Sequence, residues 1–345
     1  MKLASFIARR LLLLVFVLFG VAVLVFYVTR AAPGVDPIYA YVTPTTPSSM
    51  YPIIRAEHHL NDPIYIQIWY WFIDVLHGNL GYSASAKMPV SEAIMSYFPA
   101  TAELTITATI ITIAVAIPLG IVSALRANKW PDHSSRIFVM VSSSMAVFWL
   151  GLMLQFVFYY LLRVNGLPSL PSSGRVSPDL LVNDPIVHYT GLYVLDSILN
   201  GNIPFLLSSL AHLVLPSVTL ALVTLGLITR VTRSSMLEVL NQDYITTARG
   251  KGLPERIVIY RHALRNAMLP TVTVIGLSFG SMLGGTVLTE KIFDWNGMGY
   301  WAANAALSND TIGIVGFTLV TATIFVIVNL VVDILYAVLD PRISY

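Results

Sequence analysis

The chain has 345 residues, of which 56% are hydrophobic and only 11% are charged, with a formal net charge of +2 at pH 7. A soluble domain carries about 25% charged residues, so this chain has too little charge to cover a water-facing surface of its size. It contains no cysteine, which excludes disulfides and thiolate metal sites. The lipid bilayer is therefore the expected solvent for most of the chain, and no nucleic-acid partner is indicated.

Six apolar segments are long enough to cross a bilayer, which takes roughly 20 mostly apolar helical residues. They lie at about residues 11–28, 104–125, 137–162, 206–229, 268–289 and 312–339. They predict an all-α fold class, a polytopic membrane helix bundle with about six transmembrane helices. A cleaved signal peptide is the alternative for the first segment, but its apolar run exceeds a signal core of 7–15 residues, and residues 29–33 make a poor cleavage site.

Basic residues alternate between the two sides of the predicted bundle and indicate its orientation. They concentrate at the N-terminus, in the second and fourth connections and in the tail: Lys2, Arg9, Arg10, Arg126, Lys129, Arg136, Arg230, Arg233, Arg249, Lys251, Arg256, Arg261, Arg265 and Arg342. Short connections rich in Lys and Arg stay in the cytoplasm, so both termini are expected there. The chain then divides into 1–29 (N-terminal end and first helix), 30–102 (external loop) and 103–345 (core).

The external loop contains one apolar stretch, residues 64–73, that is too short to span a membrane. Asp62 and Pro63 before it suit an N-cap and the first helical position. Trp69 and Trp71 favour a helix lying at the outer interface with both rings at headgroup depth. A core helix within a small folded loop is an equally open interpretation.

The fourth connection, residues 230–269, is too polar to span yet regularly patterned. Asn241 or Asp243 can cap a short helix, and Gly250 and Gly252 permit that helix to stop sharply. The pattern predicts a first short helix that ends at the glycine pair.

A second helix is predicted to begin at residues 253–255, where a proline in the first turn precedes an acidic residue near the positive end of the helix dipole. Its apolar residues recur at three- and four-residue steps, with two arginines one turn apart on another face: Ile257, Tyr260, Leu264 and Met268, then Arg261 and Arg265. One interpretation is a solvated basic loop that only fixes topology. A helix–turn–helix that docks a cytoplasmic partner explains the glycine stop, the proline restart and the apolar stripe better.

This stretch resembles the coupling loop of ABC importer permeases of the peptide type. The likeness is carried by DYITTARGKGL (243–253), RHALRNAMLP (261–270), LGGTV (283–287), EKIFDWNGMG (290–299) and DILYAVLDPR (333–342), and also by PLGI (118–121) and RSSMLEVL (233–240). It covers essentially the whole chain in order. The general importer signature begins Glu-Ala-Ala where this chain has Thr246, Thr247 and Ala248, a departure that weakens only the likeness to sugar-type permeases.

The resemblance implies a division of labour within a prokaryotic inner membrane. Such a permease pairs with a second, homologous permease; two ATP-binding subunits each receive one coupling helix, and an external substrate-binding protein delivers the solute. Carried over by position, the ATPase contact would comprise Thr246, Thr247, Ala248, Arg249, Gly252 and Leu253. The sequence has no Gly-x-x-x-x-Gly-Lys-Ser/Thr loop, so the chain is expected to be a transport subunit without its own ATPase motif or cofactor.

Short peptides are the substrates that the resemblance implies first, with oligosaccharides or metal chelates as alternatives on the same architecture. A secondary transporter would show interrupted helices in two repeats and buried acids for ion coupling, which the sequence does not indicate. A membrane enzyme would need a catalytic or metal-binding constellation, and the sequence indicates none.

Glycines at four-residue spacing in the fifth segment, Gly276, Gly280 and Gly284, predict close helix packing. The contact could lie at a seam with the second permease, beside the pathway, or within this subunit. Polar residues in the membrane are functional candidates by default, and here they are Gln155, His212 and Asp333. For His212 a hydrogen bond between helices is favoured over a place in the pathway, and for Asp333 a capping or salt-bridge role.

Overall fold

The computed structural model describes residues 3–31, 36–43 and 45–339 of the chain. Fifteen α-helices occur in that part: α1 Leu3–Ala31, α2 Tyr51–Glu57, α3 Ile64–Leu76, α4 Val90–Leu125, α5 Trp130–Ser144, α6 Val147–Gln155, α7 Leu162–Val164, α8 Pro178–Asn183, α9 Tyr193–Asn200, α10 Ile203–Leu240, α11 Asp243–Gly250, α12 Glu255–Ile257, α13 Leu264–Ile292, α14 Met298–Leu307 and α15 Thr311–Leu339. Lys2, the tail with Arg342 and part of the cleavage site considered above lie outside the described residues.

Shorter elements complete the described chain. Two 3₁₀ turns (Pro37–Ala40 and Ser48–Met50) precede α2, and π-helical turns lie at Phe156–Leu161 and Val258–Ala263. The strands β1 Tyr82–Ser83 and β2 Met88–Pro89 pair antiparallel, with Tyr82 opposite Pro89. Helices therefore dominate, as the predicted all-α membrane bundle requires.

Among the described residues, five helical stretches are long and apolar enough to cross a membrane: Val90–Leu125, Val147–Val164, Ile203–Leu240, Glu255–Gly284 and Thr311–Val332. In α1, which has 29 residues, the part whose side chains are described, Leu12–Tyr27, is a further apolar helical stretch. The polytopic membrane bundle is confirmed, with five spans by this measure and α1 beside them.

The third predicted segment is two helices rather than one. α5 ends at Ser144 and α6 begins at Val147, and the residues between, Met145 and Ala146, have extended backbones with ψ of 136° and 135°. Ser144 Oγ donates to Met140 O at 2.7 Å, and such serine bonds compete with the helical pattern. Apolar continuity, from which the single segment was predicted, cannot detect this break.

At the centre of the bundle, α10 packs most extensively against α4 and α13, and it also crosses α5. A Cβ added to Gly120 on α4 would lie 2.6 Å from the Cβ of Thr232 on α10, and one added to Gly226 on α10 would meet Ser143 of α5. Small residues at these crossings let the helix backbones approach closely. α10 is continuous through Pro216.

The end of the bundle that carries Arg126, Arg233 and Arg249 is called the basic end below. At the opposite end, α14 and the turn before it are fixed to the start of α4, where Trp295 Nε1 donates to Ala100 O at 2.8 Å. At this end the long helices are therefore tied together through Trp295 and through buried acidic side chains. At the basic end they are joined by an apolar cluster beneath α11.

The loop helix α3 packs against α1 on one side and is exposed on the other. Trp71 lies 5.4 Å from the ring of Phe26, measured between centroids, whereas Trp69 is 63% exposed. No residue of α3 is fully buried, which favours a surface helix over a core helix. Asp62 was wrongly expected to cap it: Pro63 is the N-cap, and Asp62 Oδ2 instead lies 2.6 Å from His59 Nδ1.

Candidate functional site

At the basic end, α11 is a separate short helix held between α10 and α13. Its N-cap is Gln242, which has an extended backbone and no side-chain capping bond. The sequence prediction of Asn241 or Asp243 as the cap was therefore wrong. Asn241 Nδ2 donates backwards to Leu237 O at 2.9 Å and so satisfies the end of α10, while Asp243 is the first helical residue.

One face of α11 is buried in an apolar cluster shared by three long helices. Ile245 is 0% exposed and Ala248 is 7% exposed, and both pack with Ile121 of α4, Met236 of α10 and Ala267 of α13. Burial of an isoleucine side chain stabilises a fold by about 1.5–3 kcal/mol. A displacement of α11 therefore has to move the basic ends of α4, α10 and α13 with it.

The turn after α11 forms as the glycine pattern predicted. Gly252 has φ +76°, a left-handed conformation in which glycine avoids the steric cost paid by other residues. Pro254 is the N-cap of α12 and Glu255 its first residue. Arg249 Nη2 donates to Glu255 Oε1 at 2.7 Å, so an exposed ion pair bridges the two helices of the turn.

The apolar stripe predicted for the second helix is displaced by one position. Ile257 and Tyr260 are 39% and 56% exposed, and the residues that are buried are Val258, Ile259, Ala263 and Ala267. A π-helical turn at Val258–Ala263 departs from the regular helical period on which the stripe was predicted. Of the predicted stripe, Leu264 packs against the apolar cluster, whereas Ile257 and Tyr260 are left at the surface.

The six residues predicted to contact an ATPase do not share one environment. Thr246, Thr247, Arg249, Gly252 and Leu253 are exposed. Ala248 alone is buried, and it faces the helix bundle. The exposed five lie on α11 and its following turn, so they form a continuous stretch that a partner can reach, whereas Ala248 can act only through packing.

Sequence reasoning missed a buried carboxylate beside this surface. Asp132 at the start of α5 is 0% exposed. Its Oδ1 accepts from Arg233 Nε at 2.7 Å and from Ser123 Oγ at 2.5 Å. Its Oδ2 accepts from Arg233 Nη2 at 2.8 Å and from the Asn128 backbone N–H at 2.8 Å. The arginine hydrogen bond, against the opposing effect of burial, holds the pKa of Asp132 below its usual range.

This carboxylate ties the α4–α5 connection to α10 two turns before α11. The available signal was an acidic residue in the first turn after Pro131, a pattern that marks helix starts everywhere. Only the tertiary structure shows that Arg233, 101 residues later, is its partner.

Two buried acids at the opposite end were also missed as structural elements. Glu290 is 0% exposed; it accepts from Thr101 Oγ1 at 2.6 Å and from the Tyr300 backbone N–H at 2.8 Å, within the first turn of α14. Glu103 accepts from Arg175 Nη2 at 2.7 Å and from the Val194 backbone N–H at 2.8 Å. An acidic residue at the edge of a predicted apolar segment was the available signal for both.

The predicted glycine stripe packs mostly within the subunit. A Cβ on Gly276 would collide with Val332, and one on Gly280 would lie 2.5 Å from Phe325, both on α15. Gly284 has no such neighbour within 4 Å among the described residues. The first two glycines therefore serve the α13–α15 contact, and Gly284 remains a candidate for a seam or the pathway.

The polar membrane residues have local roles where their side chains are described. His212 is 6% exposed, and its Nδ1 lies 2.8 Å from Ser208 O on the same helix, so the hydrogen bond expected between helices lies within one. Gln155 Nε2 donates to Ser172 O at 2.7 Å and to Ile292 O at 3.2 Å. The side chain of Asp333 lies outside the described part.

Comparison with known proteins adds a family and several relatives. Residues 116–345 match the profile of the family described as binding-protein-dependent transport system inner membrane component. The chain is 41% identical over 340 residues to the probable D,D-dipeptide transport system permease protein DdpB of Escherichia coli K12, covering 99% of this chain and 97% of the relative.

Two further relatives are similar over comparable lengths. The dipeptide transport system permease protein DppB of Alkalihalophilus pseudofirmus is 41% identical over 341 residues, which cover 99% of both chains. The oligopeptide transport system permease protein AppB of Bacillus subtilis is 36% identical over 343 residues, covering 99% of this chain and all of the relative.

Proposed function

Because this chain belongs to the family of binding-protein-dependent transport system inner membrane components, we propose that it is the permease subunit of an ATP-driven importer of dipeptides and oligopeptides. The relatives carry peptide-transport names and extend over 99% of the chain, which favours peptides over the oligosaccharides and metal chelates that the architecture also admits. A secondary transporter is a more distant alternative.

The chain works with partners that supply energy and substrate. A second, homologous permease completes the pathway. Two ATP-binding subunits hydrolyse ATP, because this chain has no Walker-type loop. The chain needs no cofactor of its own. An external substrate-binding protein delivers the peptide. The basic end is cytoplasmic, as the concentration of Lys and Arg there favours, so both termini lie in the cytoplasm.

The observation that carries this proposal is that α11 has one exposed face and one face buried in the helix bundle. Thr246, Thr247 and Arg249 are free to enter a groove of an ATP-binding subunit, while Ile245 is fixed among α4, α10 and α13. When ATP closes the ATPase pair, the groove moves α11, and α11 moves the three long helices as a body. The pathway between the two permeases then changes its accessible side.

A purification from mild detergent tests the proposal. The tagged chain is expected to bring with it a second permease and P-loop ATPases, and the assembly should hydrolyse ATP faster when the loaded binding protein is added. In proteoliposomes it should accumulate labelled dipeptide against a gradient, with the binding protein outside. A chain that transports without any ATPase partner, driven by an ion gradient, would establish the secondary transporter instead.

A further inference from the structure

A cavity of about 250 Å³ opens at the basic end between α5, α10 and the end of α4. Three arginines, Arg136, Arg230 and Arg233, are among the residues that line it. Asp132 offsets part of this charge by pairing with Arg233 at 2.7 Å and Arg136 at 3.0 Å. Arg230 is exposed and has no ion pair among the described residues, so the cavity keeps a positive surplus.

A buried hydroxyl without a partner also lines this cavity. Thr229 is 3% exposed, and its Oγ1 has no hydrogen-bond partner within the described part of the chain. Most buried hydroxyls are hydrogen-bonded, because a polar atom removed from water without a partner costs stability. Thr229 is thus available to donate to an acceptor that enters beside Arg230.

Below the arginines, both helices present apolar side chains to the outside. On α5, Ile137, Met140 and Val141 are spaced as one helical face and are 60%, 66% and 48% exposed, and Met140 also lines the cavity. On α10, Leu227 is 49% exposed one turn before Arg230. The site therefore combines a cationic head position with an apolar track that runs toward the membrane interior.

We propose that this cavity binds the phosphate headgroup of an anionic phospholipid, with the acyl chains lying along the exposed apolar face of α5. Basic pockets between transmembrane helices on the cytoplasmic side suit such headgroups, and guanidinium groups suit phosphate oxygens in particular. A cavity of about 250 Å³ accommodates a headgroup and leaves the chains outside. The bound lipid would brace α5 against α10, next to the Asp132–Arg233 pair that precedes α11.

Native mass spectrometry of the purified transporter tests this proposal with phosphatidylglycerol and phosphatidylcholine of identical acyl chains. The wild type is expected to retain phosphatidylglycerol preferentially. Because one basic residue near an anionic surface contributes about 1 kcal/mol, Arg230→Gln should weaken phosphatidylglycerol binding by about fivefold and leave phosphatidylcholine binding unchanged. Thr229→Val, which keeps the shape and removes the donor, should also weaken phosphatidylglycerol binding.

Arg265→Gln is the matched control, because Arg265 is exposed near the same end and does not line the cavity. It should leave phosphatidylglycerol binding as in the wild type, and all variants should show an unchanged thermal midpoint in phosphatidylcholine. Equal binding of the two lipids, or equal losses in Arg230→Gln and Arg265→Gln, would overturn the proposal. So would inorganic phosphate at millimolar concentration that occupies the site and displaces the lipid, since the ligand would then be the free ion.

Discussion

At the scale of single residues, buried acidic side chains act as fixed junctions between distant segments. Asp132 joins α5 to Arg233 of α10, and Glu290 joins α13 to Thr101 of α4. Asp310 accepts from Ser85 Oγ at 2.7 Å, linking the start of α15 to the β-hairpin. A buried charge costs several kcal/mol unless it is paired and hydrogen-bonded, so each junction holds only while all its donors stay in place.

Replacement of Asp132 by Asn should destabilise the basic end strongly. The substitution leaves Arg233, which is 21% exposed, without its anionic partner, and breaking one side of a buried pair costs about 3–5 kcal/mol. Thermal unfolding of the purified chain in detergent measures the loss. Asp243→Asn, at an exposed acid on α11, is the control and should leave the midpoint within a degree or two. Similar thermal midpoints for the two variants would contradict the role of Asp132 as a junction between α5 and α10.

The same pair gives a pH dependence with a defined sign. Hydrogen bonding from Arg233 lowers the pKa of Asp132 below its ordinary 3.8, so the folded chain binds this proton less tightly than the unfolded chain. The stabilisation of the folded chain by ionised Asp132 is complete above about pH 4, and it is lost as the pH falls toward the pKa of Asp132 in the folded chain. The difference in thermal midpoint between the wild type and Asp132→Asn should therefore be constant from pH 7 to about 5 and narrow below pH 4. A difference that narrows already near pH 6 would contradict this assignment.

At the scale of elements, α11 and the turn after it behave as a short lever with a rigid base. Ile245 anchors the lever in the apolar cluster, and the Arg249–Glu255 pair closes the turn at 2.7 Å. That pair is about half exposed on both sides, and exposed pairs contribute only about 0–1 kcal/mol. The shape of the turn therefore depends mainly on Gly252 and on the buried face.

Gly252→Val should uncouple ATP hydrolysis from transport. A β-branched residue at φ +76° is strained by about 1–3 kcal/mol, and the backbone relieves that strain by shifting the end of α11. The measurement is peptide transported per ATP hydrolysed in proteoliposomes, which should fall although ATPase activity persists. Gly250→Ala, at a helical position with nothing within 4 Å, should keep the wild-type ratio. A wild-type ratio of peptide transported to ATP hydrolysed in Gly252→Val would show that the shape of this turn is not needed for coupling.

The α4–α10 crossing makes a second prediction at this scale. Gly120→Ala places a methyl group 2.6 Å from Thr232 Cβ, and overpacking of this kind costs about 1–3 kcal/mol. The thermal midpoint should fall, in contrast to Gly250→Ala, where alanine improves helix propensity without a clash. An unchanged midpoint in Gly120→Ala would mean that the two helices separate without cost.

At the scale of the whole molecule, the exposed residues at the basic end stand on a framework that crosses the bundle. The apolar cluster beneath α11 joins α4, α10 and α13, and the opposite ends of α4 and α13 are joined again through Glu290 and Thr101. A displacement applied at α11 is thus transmitted along helices that are fixed to one another at both ends.

The absence of cysteine from the sequence permits a direct test of the proposed contact between α11 and an ATP-binding subunit. In the assembled transporter, Thr246→Cys should form a cross-link to an ATP-binding subunit with a short bifunctional reagent. Ala248→Cys is the control. Ala248 lies on the buried face of α11, so its cysteine should remain unlinked. Cross-linking at Ala248 but not at Thr246 would mean that α11 docks with the opposite face.

Much of the basic-end surface could be predicted from residues close together in the chain. Gly252 and the Pro254–Glu255 restart predicted the turn, because these residues have conformational preferences of their own. The face of the second helix could not be predicted in this way. Ile257 and Tyr260 share a regular helical period with Leu264, but they are exposed, and a π-helical turn over Val258–Ala263 interrupts that period.

By itself, the sequence determined the membrane character of this chain, its helical class and the position of the turn at Gly252, because hydropathy, charge distribution and turn residues act over short stretches of chain. Only the tertiary structure decided which distant residues meet: Asp132 with Arg233, Glu103 with Arg175, and Gly276 with Val332. These contacts join residues that lie 56 to 101 positions apart. Their partners are selected by the three-dimensional crossing of helices, which no local pattern specifies.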